Sequence, residues 1–161
     1  MDLVMDLVPE QVTLVPDPPE ALTSNTGWDT IEHLDFLSET ITKLKGVGIR
    51  TSIFLNPDPR LMESAYKTGT DRVELYTGDY ANGFLVDKIL AIASFKETAN
   101  EAANYNIGLN AGHDLDLDNL AFFANEIPNL LEVSIGHALI CDALYLGLNE
   151  TIKRYLRALS V

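Results

Sequence analysis

The chain has 161 residues, a length typical of a single domain. Its 24 Asp and Glu residues outnumber 11 Lys and Arg residues, and the formal net charge of −13 at pH 7 repels nucleic acids and anionic membrane surfaces. Hydrophobic residues make up 47% of the chain and charged residues 22%, which is typical of a globular protein and excludes a disordered acidic tail.

Cysteine usage and the first residues indicate the compartment. Cys141 is the only cysteine, so an internal disulfide and a cysteine-based zinc site are excluded. The amino-terminal segment carries acidic residues where a secretory signal carries Lys or Arg, and no apolar run reaches the ~18 residues of a membrane span. We expect a cytoplasmic protein with neither nucleic-acid nor membrane partners.

Short β-like runs alternate with longer segments of helical spacing along the chain. The first β-like run, 11–15, is followed by a polar loop that extends to Gly27. Apolar residues at intervals of three and four then predict a helix between Asp29 and Gly46. The remaining predicted elements are strand 49–55, helix 59–66, strand 72–76, helix 84–105, strand 107–110, helix 117–127, strand 131–135 and helix 140–159.

Five strands, each followed by a helix and none joined by a hairpin signal, predict an α/β fold with a parallel sheet. The unit length is about 32 residues, which is close to the ~31 residues per unit of a (β/α)₈ barrel, although only five units are present. An open five-stranded sheet of the flavodoxin type uses units of the same size and remains the competing architecture. Residues 1–161 form one domain in this interpretation, with 1–10 as the end of a preceding helix or a frayed terminus.

Reactive groups gather at the carboxyl ends of the strands in βα folds, and two histidines lie at such positions. His113 directly follows a glycine after the fourth strand, where it can act as a general acid or serve as a hydrogen-bonded structural residue. His137 follows Gly136 at the start of the last helix, where backbone N–H groups bind phosphate, unless the glycine only serves a tight turn. His33 is predicted to lie on a solvated helix face.

Acidic residues supply the other candidates. Strand alternation puts Glu74 on the face opposite Val73, which is the interior in a barrel, so this carboxylate must be paired in a structural ion pair or functional. The alternating acids at 114, 116 and 118 lack the glycine and glutamate of a calcium-binding loop.

Taken together, these strand ends resemble the pyridoxine 5′-phosphate synthase family, (β/α)₈ barrels of vitamin B6 biosynthesis. The order and spacing of the segments carry the resemblance over nearly the whole chain. The segments are VTLVPD at 12–17, TSNTGWD at 23–29, IRTSIFLNPD at 49–58, RVELYTGDYA at 72–81, IGLNAGHDL at 107–115 and EVSIGHALICDALYLGL at 132–148.

The resemblance implies a reaction and a set of roles. The family condenses 1-deoxy-D-xylulose 5-phosphate with 3-amino-2-oxopropyl phosphate and releases inorganic phosphate and water, with no redox cofactor or metal, as a homo-oligomer. By resemblance, His113 is the proton donor and Glu74 the carboxylate that stabilises the transition state. Thr23 binds the deoxyxylulose phosphate, Asp114 contacts substrate through its backbone, and Gly136 with His137 bind phosphate.

The chain departs from the family in length. Full members begin with three further βα units, which carry a catalytic His followed by an Arg and a catalytic Glu, so this chain resembles strands four to eight. We therefore expect a partial barrel that is inactive alone. The alternatives are a non-catalytic βα fragment that binds phosphorylated ligands or a partner chain, and another phosphate-binding barrel such as an indole-glycerol-phosphate-type synthase.

Overall fold

The computed structural model describes residues 2–160 and shows an α/β fold. Five parallel strands form one sheet in the order β1-β2-β3-β4-β5, so neighbours in the sheet are neighbours in the chain. The strands are β1 (Gln11–Leu14), β2 (Arg50–Leu55), β3 (Arg72–Tyr76), β4 (Gly108–Gly112) and β5 (Leu130–Ser134). The sequential order differs from the 2-1-3-4-5 order of the flavodoxin type and is consistent with part of a barrel.

Helices flank this sheet. They are α1 (Asp2–Leu7), α2 (Leu34–Gly46), α3 (Met62–Lys67) after a short 3₁₀ turn, α4 (Gly78–Asn104), α5 (Leu120–Glu126), α6 (His137–Leu146) and α7 (Leu148–Leu159). The helix predicted over 140–159 is wrong as a single element, because Gly147 separates α6 from α7 with a backbone φ of 78°. His33 precedes α2 and is half-buried edge-on against Trp28, with ring centroids 5.0 Å apart, so its predicted exposure is also wrong.

The two faces of the sheet differ in chemistry. One face carries fully buried side chains such as Ile53, Val73 and Leu75, which pack in one hydrophobic core with Leu37 and Phe95 of the helices. Strand register places polar residues on the opposite face, where Glu74 lies beside Phe54 and Asn110. The predicted alternation of β3 is confirmed, because Val73 and Leu75 have no exposed surface.

None of the helices between residues 2 and 160 is both long and apolar enough to cross a membrane.

Candidate functional site

A cavity of about 980 Å³ lies at the carboxyl ends of the strands. It brings together residues that are far apart in the sequence, because the carboxyl ends of parallel strands meet at one edge of the sheet. The polar residues that line it are Thr13, Ser24, Glu74, Asn82, His113, Asp114, Asp116, Asn119, Ser134 and His137, together with the backbone of Gly136.

His113 projects from a strained backbone directly after β4. Its φ is 88° and that of Asp114 is 55°, in the left-handed region that few residues other than glycine adopt. Two consecutive residues of this kind cost about 1–3 kcal/mol each and are retained only where surrounding contacts hold them. The turn redirects the chain so that the imidazole faces the cavity.

Three side chains surround the His113 ring. The hydroxyl of Thr23 hydrogen-bonds to Nε2 at 2.7 Å, and an Asp114 carboxylate oxygen lies 3.1 Å from Nδ1, outside hydrogen-bond geometry. The Tyr76 ring packs edge-on against the imidazole at a centroid distance of 5.2 Å. Burial, reinforced by the charges of Asp114 and Asp79, raises the pKa of Tyr76, so its phenol is neutral at neutral pH.

Glu74 lies on β3 with only 7% of its surface exposed. The Thr13 hydroxyl of β1 donates to its carboxylate at 3.1 Å. A β-carbon at Gly112 would collide with that carboxylate, so glycine at the end of β4 leaves the space that it occupies. Within residues 2–160, Glu74 forms no ion pair with an Arg or Lys, which leaves its charge available to a bound group.

Thr23 reaches His113 from the loop between β1 and α2. The Ser24 hydroxyl donates to Asp17 within this loop. At its far end the loop is fixed to β2, because the Gly27 N–H donates to the Asn56 side chain at 3.1 Å and the Trp28 N–H donates to Phe54 at 2.8 Å. Thr23 therefore reaches the cavity on a segment held at the end of a neighbouring strand.

Gly136 and His137 lie at the beginning of α6 and are exposed. The φ of Gly136 is −106°, and a β-carbon there would meet no atom within 4 Å. Backbone strain therefore does not require glycine at this position, and the space beside it is open to a ligand. The free N–H groups of a ten-residue helix point into that space.

The charge of the cavity is negative. Among the described residues, its lining holds no arginine or lysine but includes Glu74, Asp114 and Asp116. Two arginines of the same sheet face lie nearer the amino ends of the strands and are paired there, since Arg72 is 2.6 Å and Arg50 3.0 Å from Glu132. Burial raises the pKa of Glu132, but the hydrogen bonds and charges of the two arginines outweigh it and hold that pKa below its usual range.

The structure places all six residues singled out from the sequence at this edge of the sheet. The cavity is lined by five of them, His113, Glu74, Asp114, Gly136 and His137. The sixth, Thr23, hydrogen-bonds to His113. Sequence reasoning missed Thr13, whose contact with Glu74 depends on strand register. It also gave no role to Thr77, a polar residue directly after the third strand. Among residues 2–160, no cluster of three or more His, Cys, Asp or Glu side chains is arranged to hold a metal ion.

Comparisons with known proteins give a consistent result. Residues 1–161 match the family described as pyridoxal phosphate biosynthesis protein PdxJ. Pyridoxine 5′-phosphate synthase of Parabacteroides distasonis is 57% identical over 155 residues, which are 96% of this chain and 65% of that protein. The enzyme of the same name from Cytophaga hutchinsonii is 55% identical over 157 residues, 98% of this chain and 66% of that protein.

The chain thus spans about two thirds of the length of the curated relatives that it matches. A solved structure, the Amycolatopsis orientalis BexX/CysO complex, contains a chain that superposes with a TM-score of 0.63 at 17% identity, covering 98% of this chain and 59% of that one. That likeness supports the fold alone.

Proposed function

The chain belongs to the PdxJ family of pyridoxal phosphate biosynthesis proteins, and from that premise we propose that it forms part of a pyridoxine 5′-phosphate synthase. The reaction is the condensation of 1-deoxy-D-xylulose 5-phosphate with 3-amino-2-oxopropyl phosphate to pyridoxine 5′-phosphate, inorganic phosphate and water. One observation carries the proposal, which is that His113, Glu74 and the amino end of α6 face a single cavity.

In this proposal His113 is the proton donor. The Asp114 carboxylate lies beside Nδ1, and Nε2 faces the Thr23 hydroxyl. When the ring is protonated, Nε2 carries the proton that leaves for a substrate oxygen during dehydration. Thr23 then contacts the deoxyxylulose phosphate, and Asp114 contacts substrate through its backbone.

Glu74 stabilises positive charge that develops as the amine adds to the carbonyl carbon and the ring closes. Its buried carboxylate is held by Thr13 and has no cationic partner among the described residues, so its field acts on the substrate. Gly136 and His137 receive a phosphate group at the amino end of α6.

The negative charge of the cavity supports a role in substrate binding for the part of the relatives that this chain does not cover. Two phosphorylated substrates bring at least two negative charges into a cavity whose described lining is acidic. In this proposal the positive charge that binds the two phosphates is therefore supplied by residues that do not line the described cavity. We propose that the five strands are strands four to eight of a (β/α)₈ barrel in one domain, and that the complete barrel acts as a cytoplasmic homo-oligomer.

A reconstitution assay tests this function. The chain alone is expected to show no synthase turnover, and co-expression with the part of the Parabacteroides distasonis enzyme that it does not cover is expected to restore turnover. His113→Ala in the reconstituted pair should lower kcat by about 10²–10⁴-fold, the usual contribution of general acid catalysis. His33→Gln, at a half-buried histidine that does not line the cavity, is the matched control. Turnover by the unaccompanied chain, or an unaffected His113→Ala pair, contradicts the proposal.

The open space beside Gly136 favours a second candidate, a non-catalytic fragment that binds phosphate groups. In that case phosphate or a sugar phosphate raises the melting temperature of the chain alone. His137→Ala abolishes this shift and His113→Ala leaves it unchanged. A phosphate-induced shift without any turnover after reconstitution supports the binding role over the enzyme.

A further inference from the structure

Three consecutive residues at the end of β3 and the start of α4, Tyr76, Thr77 and Gly78, lie against the end of β4. Strand register pairs Tyr76 with Gly112, the residue before His113. Neither Tyr76 nor Thr77 lines the cavity, so neither has a direct role in binding substrate there. Both nevertheless contact His113.

Thr77 contacts the backbone of His113. It has no exposed surface, and its hydroxyl donates to the Gly112 carbonyl at 2.7 Å and also contacts the His113 carbonyl. A hydroxyl has one proton, so the two carbonyls share it. The Thr77 backbone N–H donates a further bond to the Gly112 carbonyl at 2.9 Å. These bonds tether the chain at the place where its φ turns positive.

Tyr76 contacts the ring of the same histidine. The two rings pack edge to face, with an interplanar angle of 73°. A β-carbon at residue 78 would overlap the Tyr76 phenol, so only glycine there leaves room for that ring. Gly78 thus leaves the space in which the Tyr76 ring lies against His113.

We propose that Tyr76 and Thr77 are positioning residues for His113, with Thr77 holding its left-handed backbone and Tyr76 setting the orientation of its imidazole. The consequence for catalysis rests on the proposed function, because it takes His113 as the proton donor. The positioning itself is a property of this chain and is measurable without turnover.

Nuclear magnetic resonance of the full chain tests the Thr77 contact. The chain contains three histidines, so His33 and His137 serve as internal references. In Thr77→Val, which removes the hydroxyl and keeps the shape, we expect the strong intraresidue amide-to-Hα contact that marks a positive φ at His113 to be lost. Thr77→Ser, which keeps the hydroxyl, should retain it. A Thr77→Val protein with the unchanged signature overturns the proposal.

A second pair of variants tests the Tyr76 contact and remains informative if Thr77→Val does not fold. Tyr76→Leu should move the ring resonances of His113 while those of His33 stay in place, and Tyr76→Phe should leave all of them near their original positions. Unmoved His113 resonances in Tyr76→Leu overturn the role of the aromatic ring.

Turnover of the reconstituted pair separates the two proposals. If His113 is the proton donor, Thr77→Val lowers kcat with little change in KM, and Thr77→Ser restores it. If His113→Ala has no effect on turnover, the proposed function fails, while the resonance signatures still decide whether Thr77 and Tyr76 position this residue.

Discussion

One carboxylate, that of Asp71, joins three elements at the amino end of the sheet. It accepts hydrogen bonds from the Thr51 N–H at 2.9 Å and hydroxyl at 3.1 Å on β2, and it pairs with Lys45 at the end of α2 at 2.6 Å. Burial alone raises the pKa of Asp71, but the bonds from Lys45 and Thr51 outweigh burial and hold that pKa below its usual value of 3.8. The ionised form is therefore the one that stabilises the fold.

Asp71→Asn tests this account. A carboxylate whose pKa is depressed by folding contributes stability that is present above the unfolded-state pKa of about 3.9 and lost as the pH falls through the lower folded-state value. At pH 7 we expect the variant to lose about 1 kcal/mol, a melting-temperature decrease of about 2–4 °C. Once the pH is below the folded-state pKa of Asp71, the difference from the parent should vanish.

The control is Glu97→Gln, at an exposed position on α4. Its melting temperature should equal that of the parent at both pH values. An Asp71→Asn difference that persisted undiminished in acid would contradict the electrostatic explanation.

Candidate residues could be predicted wherever function follows from position along one strand. His113, Glu74 and Gly136 were found because they follow or alternate within β-like runs. The contacts of Thr13 and Thr77 could not be predicted in this way, because each hydroxyl donates across the sheet to a partner that only the register of neighbouring strands identifies. The positive φ of His113 likewise depends on these tertiary contacts.

The last two helices show what determines the boundary of an element. Gly147 combines a φ of 78° with a ψ of 143°, a conformation nearly restricted to glycine. It ends α6, and its carbonyl accepts from the N–H of Thr151 in α7 at 3.1 Å. The apolar spacing continues through the break, so periodicity alone predicted one helix.

Gly147→Ala is expected to destabilise the chain by about 1–3 kcal/mol, because a side chain is strained in this conformation. Thermal unfolding measures the effect. Gly46→Ala is the matched control, since Gly46 ends α2 and a β-carbon there meets no atom within 4 Å. The control should be neutral or slightly stabilising. Equal melting temperatures for the two variants would refute the strain at Gly147.

The bounds of the long helix α4 also differ from those that apolar periodicity predicted. It was predicted over 84–105 and begins earlier, at Gly78, directly after β3. Asp87 interrupts it with non-helical angles, and the Asp87 carboxylate caps the N–H groups of Ile89 and Leu90 at 3.0 Å. Strand 72–76, by contrast, was predicted with its observed bounds, because glycine and a turn limit it on both sides.

At the scale of the whole molecule, the sheet has open edges. Within residues 2–160, β1 pairs only with β2 and β5 only with β4, so each leaves one side unpaired. Large apolar side chains are exposed on β5 and α6, among them Leu131 at 55%, Leu144 at 80% and Tyr145 at 90%. Such edges and faces favour association with another chain.

We therefore expect the isolated chain to self-associate as its concentration rises. Sedimentation or light scattering on a dilution series measures the association. A buffer of moderate salt limits the charge repulsion that comes from the net charge of −13. Adding the uncovered part of a curated relative should replace the range of masses with one defined assembly. A monomer with a sharp, reversible melting transition at all concentrations would contradict this expectation.

The α/β class and the number of strands could be predicted from periodicity, since each unit carries its own pattern of apolar residues and glycine stops. The choice between a flavodoxin-type sheet and part of a barrel could not, because both are built from units of the same length. The observed strand order differs from the flavodoxin type and is consistent with part of a barrel, and it depends on long-range pairings such as Gln11 with Arg50.

The sequential strand order also has a consequence for how the chain folds. Paired residues lie between 20 positions apart, as for Ser52 and Arg72, and 39 apart, as for Gln11 and Arg50. Doubling the length of a loop raises the free-energy cost of closing it by only about 0.6 kcal/mol. The five strands can therefore pair at similar cost, and none has to pair with a strand far away in the sequence. Tyr76 and His113 meet as soon as β3 joins β4, whereas Glu74 and Thr13 meet only after β1, β2 and β3 have assembled. His113 is therefore set in place by one local folding event, and Glu74 by two.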